Sequence, residues 1–174
     1  SELPNILKGC NASGLMVTHD PEEAMSICDK VAVMNEGEIH QIDTPINLLN
    51  NPKTKFVSSF ILGNNILNLQ KNGNSYMSCL GEINSSDLLS NSNIKSMSIS
   101  PKFISIKRSE SGNAIVISKE FLGEFLIYKV SINDDIIRVR SNINNQINNG
   151  EKCSISINKN SYCFLYPGAH KVNI

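Results

Sequence analysis

The stretch MVTHDPEEAM, residues 16–25, places one imidazole, that of His19, between a short apolar run and the start of a helix. An imidazole N–H can donate a hydrogen bond to a phosphate oxygen, and the backbone N–H groups of a nearby helix N-terminus favour anions. In open α/β sheets, ligands bind at the edge where such strands end. The same pattern also fits an ordinary surface or capping histidine. His19 is therefore a candidate site residue whose role needs evidence beyond this pattern.

The residues after His19 predict a helix from its capping signals. Asp20 suits the N-cap, Pro21 suits the first helical position, and Glu23 falls at the capping-box position. We therefore interpret Asp20 as a cap and not as a catalytic group, and Glu22 as an acid that favours the helix dipole. The apolar run at 14–18 predicts a buried strand before the helix. The helix itself is expected over Pro21–Cys28, burying Ala24, Met25 and Cys28.

Residues 14–62 alternate between strand and helix signals, which is typical of an α/β segment. Near-helical apolar spacing opens the chain, and residues 30–43 predict two strands joined by a tight turn at Asn35-Glu36-Gly37. Thr44-Pro45 predicts another helix start. A helix over 52–62 should end at Gly63. Its predicted apolar face consists of Phe56, Val57, Phe60 and Ile61.

From about residue 66 to residue 174 the pattern changes to short alternating runs separated by turn residues. This spacing predicts a small all-β barrel or sandwich. The predicted fold class is therefore α+β: a truncated α/β tail at 1–63, followed by an all-β OB-like small barrel at 66–174. The predicted strands are NILNLQ, SYMSCL, SMSISP, FISIKR, AIVISKEFL, FLIYKVSI, IIRVRS, KCSISINK and SYCFLYP. The predicted turns are Asn72-Gly73, Gly112-Asn113, Asn133-Asp134-Asp135 and Asn149-Gly150.

Composition excludes some partners. The chain has 174 residues with 16 basic and 16 acidic side chains, so a zero formal charge gives no reason to expect nucleic acid or an anionic membrane. No apolar run approaches the ~20 residues that cross a bilayer, so no direct membrane insertion is expected. The five cysteines have no CxxC or zinc-like spacing, which predicts reduced thiols in a cytoplasmic protein and no metal site.

The run MVTHDPEEAMSICDKVAVMNEGEIHQIDTP resembles the switch-loop region of ATP-binding subunits of ABC transporters. NPKTKFVSSFILGNNIL resembles the segment that leads into the regulatory domain of importers for iron(III), polyamines, sulfate and sugars. ISPKFISI, FLGEFLIYKV and NGEKCSISINKNSYCFLYPG resemble the transport-associated OB (TOBE) domain. One departure is Ser100-Pro101-Lys102, where the family usually has Arg-Pro-Glu. In FLGEF, Gly123 is expected to permit a bulge or a close backbone approach.

The resemblance implies that His19 is the switch histidine, which contacts the γ-phosphate of ATP and helps to align the attacking water in the full-length parent. It implies ATP and Mg²⁺ as cofactors of that parent, a homodimer of the ATP-binding subunit, and permease subunits as partners. The location it implies is the cytoplasmic face of the inner or plasma membrane, reached through the permease. The segment SICDKVAVMN favours iron(III) as the transported solute. His40 and His170 are expected to be structural or solvated.

The sequence lacks other parts that such an ATPase needs. It contains no G-x-x-x-x-G-K-S/T phosphate loop, no LSGGQ-like signature and no strand ending in Asp-Glu. We therefore expect no ATP binding, hydrolysis or cofactor binding by this chain alone. Two other functions stay open: a stand-alone OB-like module for a small oxyanion or oligonucleotide, and a structural dimerisation unit. Scattered basic residues and an aromatic content of 6% disfavour an oligonucleotide site.

Overall fold

The computed structural model describes residues 3–83 and 93–174. The chain divides into two compact units, Ser1–Leu62 and Gly63–Ile174. The predicted β region includes residues 84–92, which lie outside the described residues.

The first unit combines four helices with one β-hairpin among its described residues. Helices α1 to α4 and strands β1 and β2 follow in the order α1 Leu3–Gly9, α2 Pro21–Ile27, β1 Val31–Asn35, β2 Glu38–Asp43, α3 Pro45–Asn50 and α4 Lys55–Leu62. The near-helical apolar spacing predicted α1, and caps and turns, which are local features of the sequence, predicted the other elements. The observed α4 begins at Lys55 and not at Pro52 as predicted. Thr44 caps α3 and Thr54 accepts a hydrogen bond from the N–H of Val57 at the start of α4. Gly63 follows α4 with φ of +62°, a conformation that glycine adopts without strain.

The hairpin turn confirms the prediction at Asn35-Glu36-Gly37. Strand pairing ends at Asn35 opposite Glu38, and the two residues between them have φ of 50° and 82°. Two positive φ angles at these positions match the twist of the flanking strands. A bulge then leaves His40 without a partner on β1, because Val33 pairs with Gln41 and Met34 with Ile39.

The small core of the first unit is formed by β1, α3 and α4. Val33, Leu48 and Val57 are fully buried, and Phe56 and Ile61 pack against them. On the predicted apolar face of α4, the Phe60 ring stacks on that of Phe56 with 5.3 Å between centroids, and Phe60 is 42% exposed. The burial expected for α2 is wrong: the helix has no fully buried residue, and its apolar side chains are only half-buried. The side chains expected to be buried there, and found half-buried, are Ala24, Met25 and Cys28.

The second unit is all-β among its described residues, apart from one 3₁₀ turn. All nine predicted strands are present, and three short strands, β4, β6 and β14, were not predicted. The strands are β3 Asn65–Asn68, β4 Gln70–Asn72, β5 Ser75–Ser78, β6 Gly81–Ile83, β7 Ser96–Ile99, β8 Ile104–Arg108, β9 Ala114–Phe121, β10 Phe125–Ile132, β11 Asp135–Asn142, β12 Lys152–Ile157, β13 Tyr162–Tyr166 and β14 His170–Asn173. The 3₁₀ turn, Pro101–Phe103, precedes β8, so Pro101 lies where the sequence placed it.

These strands form three antiparallel sheets, and the described residues contain no closed barrel. The orders are β11-β10-β9-β12-β8, β14-β13-β7-β3 and β4-β5-β6. The edge strands β8 and β11 of the first sheet are linked by a side chain instead of a backbone ladder. The amide of Asn145, in the loop after β11, donates to the Ile106 carbonyl on β8 at 3.2 Å and to the Ser141 hydroxyl on β11 at 2.9 Å. The prediction of a barrel therefore differs from the structure: the five-stranded sheet is open, and side-chain hydrogen bonds connect its two edge strands.

Asn65 on β3 bonds to the edge of β11 that β10 leaves free. Its side-chain amide donates to the Arg138 carbonyl at 2.8 Å and accepts from the Arg138 N–H at 2.8 Å, which imitates one step of a β-ladder. This link joins the four-stranded sheet to the five-stranded sheet. Their inner faces share one apolar core, whose largest fully buried side chains are Tyr76, Tyr128, Leu67, Met97, Ile99, Ile104, Ile132, Ile137 and Ile147.

Glycine at position 112 reflects a close backbone approach. A Cβ there would lie 2.1 Å from the carbonyl oxygen of Cys153, so no larger residue fits without movement of β12. Gly123 differs from its prediction. It has φ of +75° in the β9–β10 connection with open space beside it, and the bulge in this hairpin lies elsewhere, between Lys129 and Val130 in the register of β10 with β9.

Candidate functional site

The predicted cap of α2 is confirmed. The Asp20 carboxylate accepts hydrogen bonds from the N–H groups of Glu22 at 2.9 Å and Glu23 at 3.3 Å. Pro21 occupies the first helical position. Two of the unpaired donors at the helix N-terminus are thereby satisfied by one acidic side chain. Asp20 is engaged in positioning the backbone next to His19.

Thr18 closes the loop from the other side of His19. Its hydroxyl accepts from the Asp20 N–H at 3.1 Å and donates to the Glu23 carboxylate at 2.7 Å. A capping box would instead have Glu23 accept directly from the N–H of Asp20, so the threonine hydroxyl is inserted between the two groups. The sequence suggested the Glu23 position but not this relay.

The His19 side chain is exposed, and no described residue makes a hydrogen bond to its ring. The backbone on both sides of it is held by Thr18 and Asp20, while the imidazole itself projects from the start of α2. This arrangement can present one ring N–H to a group outside the described residues. The role of His19 as a switch histidine stays a prediction.

The strand expected at 14–18 is absent. The segment has no strand hydrogen bonds, and Leu15 and Val17 are 95% and 90% exposed. A β-strand needs a neighbour to satisfy its N–H and C=O groups, and the described residues of this unit offer the segment no partner strand. His19 therefore follows an extended loop instead of a buried strand.

His40 and His170 have the roles expected of structural or surface residues. The half-buried His40 ring lies 4.9 Å from the Phe56 ring and its Nδ1 is 3.2 Å from the Thr54 hydroxyl. The exposed His170 ring, on β14, lies over Gly168, where an added Cβ would be 2.6 Å from Nε2.

Gln41 is a buried polar residue that sequence reasoning missed. Only 3% of its surface is exposed, and its amide spans the connection between α3 and α4. Nε2 donates to the Asn51 carbonyl at 3.1 Å, and Oε1 accepts from the Lys53 N–H at 2.8 Å. No local signal marks these contacts, since the partners lie on a later segment of the chain.

Ionisable groups elsewhere are perturbed for structural reasons. The pKa of Asp43 is lowered by the side-chain amide of Asn47 and then by the N–H of Thr44, which both donate to the ionised carboxylate. Burial raises the pKa of the Cys163 thiol to about 12. Burial, followed by the nearby Asp135, raises the pKa of Cys79 to about 12. These thiols are protonated at neutral pH, so they are poor nucleophiles and metal ligands.

Two further searches concern residues 3–83 and 93–174. Within these ranges no three His, Cys, Asp or Glu side chains converge as a metal site requires. No helix in the same ranges combines the length and apolar character needed to span a membrane.

Part of this chain is similar to spermidine/putrescine import ATP-binding proteins. Specifically, 76 residues are 49% identical to the spermidine/putrescine import ATP-binding protein PotA of Bacillus thuringiensis (strain Al Hakam), covering 44% of this chain and 22% of that protein. A further 65-residue match, also 49% identical, is to the protein of the same name from Trichormus variabilis, covering 37% of this chain and 17% of that protein. No protein-family model matches. The chain thus spans about a fifth of the length of the curated relatives it matches.

Proposed function

We propose that this chain is part of the ATP-binding subunit of an ABC importer, in which ATP hydrolysis drives solute uptake. The observation that carries the proposal is the 49% identity over 76 residues to spermidine/putrescine import ATP-binding proteins. The Thr18–His19–Asp20 arrangement at the start of α2 supports it, since the switch-loop resemblance rests on these residues. The subunit would act as a homodimer with permease subunits, on the cytoplasmic face of the membrane.

In this proposal His19 donates a hydrogen bond to the γ-phosphate and helps to align the attacking water. Phosphoryl transfer needs positioning and charge stabilisation more than covalent chemistry, and ATP with Mg²⁺ supplies the reacting group. Thr18 and Asp20 fix the backbone on either side, so the imidazole starts from a defined position. The residues present offer a nucleotide one imidazole and no phosphate loop. The isolated chain is therefore expected not to bind ATP.

The proposed solute is a polyamine. The similar proteins are named as spermidine/putrescine import ATP-binding proteins, whereas the segment SICDKVAVMN favoured iron(III) from sequence alone. Because the match is to named polyamine importers, we place iron(III) second.

The β unit is proposed to be a TOBE-type regulatory domain that also contributes to the dimer. Its outer surface exposes large apolar side chains that a second copy could cover. They lie on β9, on the connection to β10 and on β11, and are Ile115, Phe121, Leu122 and Ile136, exposed by 45%, 64%, 45% and 64%.

The test uses the complete protein that contains this sequence, reconstituted with its permease and receptor in proteoliposomes. Spermidine is expected to stimulate ATP hydrolysis. His19→Ala should lower the hydrolysis rate by about 10²-fold or more, because one transition-state contact is lost. His170→Ala is the matched control and should leave the rate unchanged. Stimulation by the iron(III)-loaded receptor and not by spermidine would refute the proposal that the solute is a polyamine. Equal hydrolysis rates for His19→Ala and the control would refute the proposed role of His19.

A further inference from the structure

The sequence contains two Asn-Gly pairs, Asn72-Gly73 and Asn149-Gly150, and both lie at exposed turns of the β unit. Asparagine is one of the chemically labile side chains of proteins. When the next residue is glycine, its backbone nitrogen can attack the side-chain carbonyl of the asparagine without hindrance from a Cβ. The two pairs therefore share the same intrinsic chemistry, and the structure around each pair decides how fast it reacts.

The reaction in question is deamidation, which needs water as its only co-reactant. The glycine nitrogen loses its proton to solvent and forms a bond to Cγ of the asparagine, while the side-chain nitrogen takes up a proton and leaves as ammonia. Water then opens the resulting cyclic imide at one of its two carbonyls. One opening gives aspartate. The other gives isoaspartate, in which the main chain runs through the former side chain.

Hydrogen bonds hold the turn at Asn149-Gly150 against this reaction. The Gly150 N–H, which must lose its proton, donates to the Val116 carbonyl at 2.8 Å, and the Val116 N–H donates to the Glu151 carbonyl at 3.1 Å. The Glu151 carboxylate also accepts from the N–H of Asn148 at 2.8 Å. Attack on Asn149 would have to break the first of these bonds and move the turn away from β9.

The turn at Asn72-Gly73 lacks this restraint. Gly73 has φ of +58°, and an added Cβ there would meet no atom within 4 Å. Across residues 3–83 and 93–174, no group accepts a hydrogen bond from the Gly73 N–H. The Gly73 nitrogen is therefore able to lose its proton to solvent and to approach the Asn72 side chain.

The strand that precedes this turn also opens at low cost. β4 is three residues long, lies at the edge of its sheet and is exposed at every residue. Asn72 pairs with Ser75 across the turn, and the Ser75 hydroxyl donates to the Asn72 carbonyl at 3.0 Å. Short, exposed edge segments open locally far more often than a whole domain unfolds. Such opening lets the Asn72 backbone rotate so that the Gly73 nitrogen reaches Cγ.

We propose that Asn72 is a site of spontaneous deamidation in the folded chain and that Asn149 is protected. Both products at Asn72 add one negative charge to a chain whose formal net charge is zero. Isoaspartate also lengthens the main chain at the end of β4, which disturbs its pairing with β5. The site is independent of the importer proposal, because this turn lies outside the resemblance around His19.

The test is incubation of the full chain at mildly alkaline pH, with peptide mass spectrometry that follows the replacement of NH₂ by OH. Deamidation at Asn72 is expected to be about tenfold or more faster than at Asn149 in the folded chain, because the hydrogen bond of Gly150 must break first. In guanidinium chloride both turns are lost, so the two rates should agree within about twofold. Equal rates at the two sites in the folded chain would overturn the proposal. So would an Asn72 that reacts in the denaturant and not in the folded chain.

Variants of the same turn test the mechanism. Asn72→Gln should abolish the modification, because the longer side chain must close a larger ring, whereas the matched control Asn149→Gln should leave the rate at Asn72 unchanged. Gly73→Ala should slow the reaction severalfold, since the added Cβ hinders the nitrogen. This comparison is made in guanidinium chloride, where the strain of alanine at positive φ is absent. The rate should rise with pH, because the attacking nitrogen must first lose its proton. A rate that Gly73→Ala leaves unchanged, or one that falls as pH rises, would contradict the attack by Gly73.

Discussion

At the scale of single residues, side-chain amides form connections that backbone ladders do not provide. Gln41 joins β2 to the α3–α4 connection, Asn65 joins β3 to the edge of β11, and Asn145 bridges β11 to β8. An amide carries both a donor and an acceptor, so it can substitute for one peptide step. Each of these residues therefore fixes the relative position of two elements within its own unit.

Gln41→Ala should destabilise the first unit by about 1–2 kcal/mol, because the Asn51 carbonyl and the Lys53 N–H both lose a partner. Native-state hydrogen exchange at the Leu48 amide measures the free energy of opening. The exposed Gln70 offers a matched control, and Gln70→Ala should change stability by less than about 0.5 kcal/mol. If the Gln41 and Gln70 variants exchange alike, the amide connection contributes nothing.

The lowered pKa of Asp43 predicts that the stability of the first unit depends on pH. Its folded-state pKa lies below the ordinary value of about 3.9, so its contribution to stability is present above that pH and is lost as pH falls through the folded pKa. Asn47→Ala should move the NMR titration midpoint of this carboxyl upward, because the largest cause of the shift is removed. Asn50→Ala, on the same helix, should leave it in place. An unchanged midpoint in Asn47→Ala would rule out the Asn47 amide as the cause of the lowered pKa.

At the scale of elements, local chemistry determined what the sequence could predict. Caps, prolines and turn glycines act within a few residues, so α2, α3 and the β1–β2 turn were predicted with nearly the observed bounds. The strand expected at 14–18 failed, because strand formation depends on a partner and not on the apolar run alone. The Asn65–Arg138 contact joins residues 73 apart, and no local pattern announces it.

In the candidate site, too, the features set by neighbouring residues could be predicted and those set by the fold of the loop could not. The cap residue Asp20 and the position of His19 were readable from the sequence, because they are neighbours at a helix start. The relay through Thr18 was not, since it depends on how the loop folds back onto Glu23.

Asp20 predicts how α2 responds to substitution. Asp20→Ala should cost about 1 kcal/mol of local stability, because the N–H groups of Glu22 and Glu23 lose their acceptor. Asp20→Ser should retain most of it, since serine caps comparably. Exchange rates of these two amides measure the effect. In the complete protein a capping role further requires that Asp20→Ser keeps ATP hydrolysis; a loss as large as that of His19→Ala would instead indicate a catalytic carboxylate.

At the scale of the whole molecule, the two units have separate apolar cores. The buried cluster of the first unit contains Val33, Leu48 and Val57, and the cluster of the second begins at Leu67. No buried core residue among those described belongs to both. A core that is complete within one stretch of chain is the usual basis for independent folding.

Residues 63–174 are therefore expected to fold when expressed alone. Their core includes three sheets and the Asn65–Arg138 and Asn145–Ile106 links, none of which needs a residue before Gly63. The amide spectrum of this fragment should overlay on the corresponding peaks of the full chain, with cooperative unfolding followed by the near-ultraviolet signal of its tyrosines. Residues 1–62, whose core is far smaller, should show little dispersion alone. If the β fragment were unfolded while the full chain is folded, stability would have to be shared across the boundary at Leu62.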